Sequence, residues 1–337
     1  MRGITRLRMH RPTLLLVALA AALLAACRPQ HPADRTQQTF RFDERGEFTV
    51  MQLTDLHYTG DEQSAHVPGM LAQLIRLERP DLIVVTGDLI YRRPGERLMR
   101  EICGIIAAEG IPYAVTPGNH DAEQGISQQE LHALFPALPG CMNPQPRTGE
   151  AAAGDFVIPV LARGSDREEA RLYVMDSNDY NADDRSYKGF EPEQVAWYRR
   201  QSAEAEARNG RKTNALLFFH VPLPEYAEAY AEAPLAGYRL ERECPPRDNA
   251  GMFRALVECG EATGVFAGHD HSNDYVAEKE GIALCYGRYS GGYGEYQELL
   301  SGARMIRLHE GRRGFDTWVR LANGRTSGET TYPTQQP

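Results

Sequence analysis

Positive charge is scarce in this 337-residue chain: 37 Lys and Arg face 46 Asp and Glu, a formal net charge of −9. Four of the bases, Arg2, Arg6, Arg8 and Arg11, lie before residue 27 in a stretch without acids, which leaves 33 against 46, or −13, for the remainder. Nonspecific nucleic-acid binding depends on Lys and Arg neutralising phosphates, so no nucleic-acid-binding surface is expected. A long apolar run is also missing. Thr13 to Leu24 falls short of the about 20 residues that a membrane-spanning helix needs, which argues against a span. There is no internal repeat, which argues against a solenoid or propeller. Cysteine is sparse at six residues, and with Cys27 set aside the number is odd, so at least one thiol stays unpaired in a monomer. Cys103 and Cys259 fall in helical patterns and Cys285 in a strand pattern, as small buried apolar residues do. Cys141 and Cys244 lie in Pro-rich loops and are the expected disulfide, if one forms.

What is present begins with an export pattern. The basic head Arg2 to Arg11, the apolar core Thr13 to Leu24 and the closing Leu24-Ala25-Ala26-Cys27 have the layout of a cleaved signal. A cysteine directly after L-A-A resembles the lipobox of bacterial lipoproteins. That resemblance implies cleavage before Cys27 and acylation of its thiol, with the membrane as a partner through a lipid anchor of two or more chains. Arg28 in place of Asp after the cysteine implies the periplasmic face of the outer membrane in a Gram-negative source. Residues 1–26 are therefore read as signal peptide and 27–46, rich in Gln, Pro and charge, as a tether. Residues 47–322 are read as the folded domain, and 323–337, without an apolar face, as a flexible tail.

Within the domain, five short apolar runs each stop at side chains able to hold a metal: Asp55 and His57 in LTDLH, Asp88 in VVTGDL, Asn119 with His120 in TPGNHD, His220 in LLFFHVP, and His269 with His271 in FAGHDH. Runs of this kind read as buried strands, and open α/β sheets place their chemistry beyond the carboxyl ends of strands. A catalytic zinc takes about three protein ligands, so this many donors implies two ions. Asp88, alone after its strand and beside Gly87, is the carboxylate placed to lie between them. Single Asp, Asn and Gly residues at such positions are ordinary turn formers, but turn chemistry does not account for the histidines.

The order of elements predicts an α/β fold. Strands at FTVMQL, LIVVT and YAVT alternate with helices bearing Met70, Leu71, Leu74 and Ile75, then Leu98, Ile102, Ile105 and Ile106, which argues a parallel sheet. Residues 122–154 read as loop with little regular structure and 222–249 as a second insertion, with strands at RLYVMDS and NALLFF and helices over 192–207 and from Met252 to Gly260 between and after them. Hairpin-like strands after residue 271 predict a second, more antiparallel sheet.

The ordered set Asp55-Leu56-His57, Gly87-Asp88, Gly118-Asn119-His120-Asp121, His220 and Gly268-His269-Asp270-His271 resembles the calcineurin-like metallophosphoesterases, over about residues 48–310. The resemblance implies a two-sheet β-sandwich flanked by helices, an α/β/β/α arrangement. It implies one metal on Asp55, His57, Asp88 and His271 and another on Asp88, Asn119, His220 and His269, as two divalent or trivalent ions of Fe, Mn or Zn. A phosphate-ester substrate and hydrolysis of phosphate monoesters, by in-line attack of a hydroxide bridging the metals, follow from it. His120 would protonate the leaving group and Asp121 would orient His120. Arg288 in YGRYSGGYG is a candidate for binding a phosphate oxygen, with Tyr289 and Tyr293 near the pocket, although a strand-end arginine beside a Gly-rich turn needs no ligand. Tyr91, three residues after Asp88, has the spacing of the tyrosine ligand in purple acid phosphatases, but His57 would compete for that position, so Tyr91 is expected to pack beside the site. The GRYSGGYGEY segment resembles the same branch. The remaining readings are a phosphodiesterase or nucleotidase on the same centre, and a catalytically silent metal-binding scaffold.

Overall fold

The strand Leu82–Thr86 is apolar at four of its five positions because both of its faces are covered. Leu82 and Val84 point into one core and Ile83 and Val85 into another, as the two-residue period of a strand requires. The computed structural model describes residues 38–147, 153–292 and 299–334.

The chain starts with β1 (Phe40–Arg41) and β2 (Glu47–Leu53), then alternates α1 (Val67–Glu78), β3 (Leu82–Thr86), α2 (Gly95–Ala107) and β4 (Tyr113–Thr116). A short helix α3 (Gln128–Leu134) precedes β5 (Phe156–Leu161) and β6 (Glu168–Val174). Helix α4 (Pro192–Asn209), β7 (Asn214–Phe218), α5 (Glu225–Glu232), β8 (Pro234–Ala236), α6 (Met252–Cys259) and β9 (Ala262–Ala267) follow. The last strands are β10 (Val276–Lys279), β11 (Ile282–Tyr286), β12 (Gly302–His309), β13 (Phe315–Leu321) and β14 (Thr326–Tyr332).

These strands form two sheets, ordered β1-β5-β6-β7-β9-β11-β10-β8 and β14-β13-β12-β2-β3-β4. An apolar core between them holds Phe48, Val50, Leu82 and Val84 from one sheet and Leu172, Leu216, Phe218 and Phe266 from the other. The outer face of the six-stranded sheet packs on α1 and α2 through Leu71, Leu74, Leu98 and Ile102. The outer face of the eight-stranded sheet is covered by Tyr198, Tyr226, Phe253 and Leu256 of α4, α5 and α6. Each such side chain, fully buried, contributes about 1.5–3 kcal/mol, so the alternation in the sequence secures register as well as layering. The α/β/β/α sandwich is therefore present.

Its strands are distributed differently from the expectation. Both sheets are mixed: β2, β3 and β4 run parallel, but β12, which pairs antiparallel with β2, extends the same sheet. The hairpin β10–β11 instead joins the other sheet, where β11 lies parallel to β9. Hairpin signals give local pairing and say nothing of which sheet edge receives the pair.

Three boundaries also shift. Phe40 and Phe42, within the expected tether, are buried and β1 pairs with β5, so the compact unit starts at Gln38. The expected flexible tail contains β14, paired antiparallel to β13 and held by the buried Tyr332 against Phe315. A polar edge strand needs no apolar face, because its partner supplies the backbone hydrogen bonds. Within 122–154, helix α3 starts at a capping box in which Ser127 and Glu130 satisfy each other's backbone N–H groups. No disulfide joins Cys141 and Cys244: the first is buried and the second exposed. Cys27 and the signal-like segment lie outside the described residues.

Candidate metal centre

Strands β2, β3 and β4 of one sheet and β7 and β9 of the other point their carboxyl ends at one place. Asp55 and His57 follow β2, Asp88 follows β3, Asn119 and His120 follow β4, His220 follows β7, and His269 and His271 follow β9. Backbone hydrogen bonds join these strand ends directly: Asp55 N to Gly87 O at 3.0 Å, His57 N to Asp88 O at 2.9 Å and Gly268 N to His220 O at 3.0 Å.

Asp55, His57, Asp88 and His269 adopt left-handed backbone conformations, with φ of 53°, 43°, 52° and 80°. Such conformations cost on the order of 1–3 kcal/mol each and persist where function requires them. Here they turn the chain sharply after a strand and aim the side chain back across its end. Glycine makes room for the turns. A Cβ on Gly118 would lie 2.2 Å from Asp88 Oδ1, and one on Gly87 would lie 2.6 Å from the His220 ring.

The donors converge as two groups. Ligand atoms of Asp55, His57 and His271 lie within 4.8 Å of one another, as do those of Asp88, His220 and His269. Asp88 Oδ2 lies between the groups, 3.2 Å from His220 Nε2 and 3.5 Å from His57 Nε2. Asn119 Oδ1, 3.1 Å from His220 Nε2, extends the second group. The structure thus brings all seven expected ligands together.

Surrounding bonds orient the donors. His220 Nδ1 donates to Thr86 O at 2.8 Å, which leaves Nε2 facing inward. The Asn119 Nδ2 amide donates to the Tyr180 hydroxyl at 2.8 Å, so its oxygen faces the centre. Asp55 accepts from His269 N at 3.1 Å and from Thr54 Oγ1 at 2.8 Å. Tyr286 donates to the buried Asp270 at 2.5 Å, so Asp270 props the loop between its two histidines.

Two carboxylates, four imidazoles and an amide, with no Lys or Arg among them, suit first-row transition cations. His57 Nε2 is buried without a hydrogen-bond partner, as a donor reserved for a metal would be. Burial disfavours the charged forms of Asp55 and Asp88, yet neighbouring His271 and His220 hold both carboxyls below the usual range. Burial would likewise lower the His220 pKa, but Asp88 pushes it up to about 10. The site therefore draws positive charge toward Asp88, and cations bound to the neutral imidazoles would supply it.

His120 stands apart from the ligands. Its side chain is 26% exposed, against 0% for His220 and 5% for His57. Its Nδ1 lies 2.7 Å from Glu123 Oε2. The expected orienting residue, Asp121, does not touch the ring. Asp121 accepts from Ile90 N at 3.0 Å and Gly118 N at 2.8 Å, and burial together with the Asp88 charge raises its pKa to about 7. It holds the β3 and β4 turns together, while Glu123, one helical turn beyond His120, takes the orienting role. A carboxylate next in sequence to the imidazole points down its own turn, whereas one three residues on faces it.

Arg288 is also corrected. It is buried, and its Nη1 lies 3.1 Å from the buried Asp274, in contact but without hydrogen-bond alignment. Its charge is thus directed to the interior beside Asp274. Its neighbour Tyr289 stacks on His271 with centroids 5.0 Å apart and supports that ring. Tyr293 lies outside the described residues. Tyr91 stacks parallel on His57, 4.7 Å between centroids and 7° between planes, as a packing partner.

Sequence reading missed the wall above the centre. The segment after β6 brings Tyr180 and Tyr187 into a stack at 5.5 Å, with the Tyr187 ring 4.3 Å from His269 and the Arg185 guanidinium 4.4 Å over Tyr180. The available signal was position, since this segment follows a strand end as the ligands do.

Comparisons with known proteins agree with this geometry. The chain is 28% identical to "Probable inactive purple acid phosphatase 29" of Arabidopsis thaliana, across 91% of this chain and 90% of that protein. It is 29% identical to "Probable inactive purple acid phosphatase 14" of the same plant, across 94% and 91%. Phosphatase DCR2 of Saccharomyces cerevisiae is 27% identical across 86% of this chain and 56% of that protein. A dimetal phosphatase from Danio rerio shares the fold, with a TM-score of 0.58 at 12% identity over 84% of this chain and 99% of the other. The sequence profile of the calcineurin-like phosphoesterases matches residues 48–273, and the chain belongs to that family, with purple-acid-phosphatase-like relatives.

Proposed function

We propose that this protein hydrolyses phosphate monoesters at a dinuclear centre of Fe, Mn or Zn. The observation that carries the reading is Asp88 Oδ2 set between two donor groups, 3.2 Å from His220 and 3.5 Å from His57, beside a histidine that binds neither group. Asp55, His57, Asp88 and His271 would hold one ion and Asp88, Asn119, His220 and His269 the other. When bound, the pair supplies a nucleophilic water at neutral pH and positive charge for the phosphoryl oxygens.

The chain's own groups do the rest. Glu123 Oε2 fixes the His120 ring through Nδ1, so Nε2 can carry a proton to the departing alkoxide. Asp121 keeps the β3 and β4 turns in register, which sets His120 relative to Asp88; the His120 N–H itself donates to Asp88 Oδ1 at 2.8 Å. Tyr91 and Tyr289, flat against His57 and His271, hold the rings that would face the first ion. The two plant relatives described above are named as probable inactive, but those words belong to those proteins, and the full donor set here supports turnover.

Assay of 4-nitrophenyl phosphate against bis(4-nitrophenyl) phosphate with metal-loaded protein tests this reading. A dianionic monoester suits paired cations best, so kcat/KM is expected to favour it by about 10-fold or more. The activity should vanish with a chelator and return with Fe, Mn or Zn. Preference for the diester would establish a phosphodiesterase, and no hydrolysis with any metal would establish a silent scaffold.

We propose also that the protein is exported and lipid-anchored at Cys27, on the layout of residues 1–27. Among the described residues no helix is long and apolar enough to cross a membrane. Metabolic labelling with an alkyne fatty acid should mark the wild-type chain and leave a Cys27→Ser chain unlabelled and uncleaved; equal labelling of both would reject the anchor.

A further inference from the structure

The wall above the centre carries a cation that the monoesterase reading leaves unused. Arg185 lies on a tight turn closed by Asn181 N to Ser186 O at 2.8 Å and Arg185 N to Asn181 O at 3.0 Å, with a left-handed φ of 59°. Left-handed backbone at a non-glycine residue is sustained where the side chain's placement matters. Two contacts set that placement. The guanidinium lies 4.4 Å over the Tyr180 ring, and Nη2 donates to Glu123 Oε1 at 2.7 Å. Its side chain is 68% exposed. A guanidinium has five N–H donors in a fork suited to carboxylate and phosphate, and the Glu123 bond uses one of them.

Position decides what the others meet. The Tyr180 hydroxyl touches the Asn119 amide, so a phenol ring separates Arg185 from the metal-facing donors. In the other direction Glu123 and His120 intervene, with Oε2 of the same carboxylate on His120 and Oε1 on Arg185. Arg185 therefore lies one layer outside the reacting phosphoryl group, on the side where His120 would deliver its proton. A group found there belongs to the alcohol that departs. Asp183 and Asp184 do not compete, because Arg247 occupies them at 3.0 Å each, and Glu123 takes one N–H of the fork.

We infer that Arg185 selects phosphate esters whose leaving group carries a second anion, a carboxylate or another phosphate, held by the guanidinium above Tyr180. This rests on the phosphatase reading and narrows its substrate class. The test separates the two. Isothermal titration of metal-loaded protein with butylphosphonate, 4-phosphonobutyrate and propane-1,3-bisphosphonate reads recognition without turnover. The wild type is expected to bind at least one of the probes with a second anionic group about 10-fold tighter than butylphosphonate. Preference for 4-phosphonobutyrate alone identifies a carboxylate, and for the bisphosphonate alone a phosphate. In Arg185→Gln the ratio should fall below about 2-fold, and Arg185→Lys, which keeps a cation over Tyr180, should retain part of it. The ratio is insensitive to any shared loss of affinity when Glu123 relaxes. Equal binding of all three probes by the wild type, or an intact ratio in Arg185→Gln, would overturn the inference even if the protein hydrolyses simple monoesters. An Arg185-dependent ratio in a protein that hydrolyses nothing would uphold the recognition site and reject the activity. No binding and no hydrolysis would reject both.

Discussion

Asp88→Ala protein will fold, bind at most one metal equivalent where the wild type binds two, and lose phosphate-ester hydrolysis. The carboxylate is 1% exposed and lies 3.2 Å and 3.5 Å from imidazoles of the two donor groups, so its loss weakens both sites together. Removing a residue that only supports a ligand costs about 10–100-fold in metal affinity or activity. Removing the shared carboxylate should exceed that, with activity down on the order of 1000-fold or more. The fold should survive, because the inter-sheet core of Val50, Val84, Phe218 and Phe266 does not depend on the carboxylate. Metal analysis and thermal melts check the expectation. Saturating metal stabilises a one-site protein by about 2.7 kcal/mol at a hundred times its dissociation constant, so chelation should lower the wild-type Tm by on the order of 5 °C and the variant's much less. Two full metal equivalents on the variant would show that Asp88 does not bridge.

His120→Asn should separate catalysis from binding. Turnover is expected to fall by about 100- to 10,000-fold, the range for loss of a positioned general acid, with both metal equivalents retained. The distinction follows from where the ring lies. His57, His220, His269 and His271 belong to the two donor groups, while His120 packs edge-on to His57 and Tyr91 and gives its Nδ1 to Glu123. Parallel loss of metal and turnover would make His120 a ligand. Its support by Glu123 in place of Asp121 also means that Asp121→Asn should act through the turns it ties, at Ile90 and Gly118, and not through the imidazole.

Much of the site was readable in one dimension because strand ends are local features. An apolar run of fixed period that stops at Asp88 or His220 states both that a strand ends there and that its next side chain clears the sheet. Residues far apart in sequence met at one point only because five such ends did so in order. Support from outside the strands was not readable. Tyr180 and Arg185 carry no distinctive spacing, and their contacts with Asn119 and Glu123 arise from a turn after β4 and another after β6 that approach only in the folded chain; Glu123 had the i,i+3 spacing to His120 as its one local signal. Arg288 shows the converse: beside a Gly-rich turn it looked available, and in the folded chain it is buried against Asp274.

Periodicity and residue chemistry by themselves determined the α/β class and the metal-binding donors at the strand ends, because burial pattern and donor chemistry are properties of single residues and their immediate neighbours, while the two-sheet sandwich, the seven-ligand set and the separate standing of His120 were implied by the family resemblance. Tertiary structure alone decided that β10 and β11 join one sheet and β12 to β14 the other, that the last strand is ordered, and which carboxylate holds His120. The sheet assignment depends on edges finding partners far along the chain, whose pairing energies leave no trace in local sequence; the last strand pairs with the neighbouring β13 and Glu123 lies three residues beyond His120, and there the folded backbone decides which nearby partner is met.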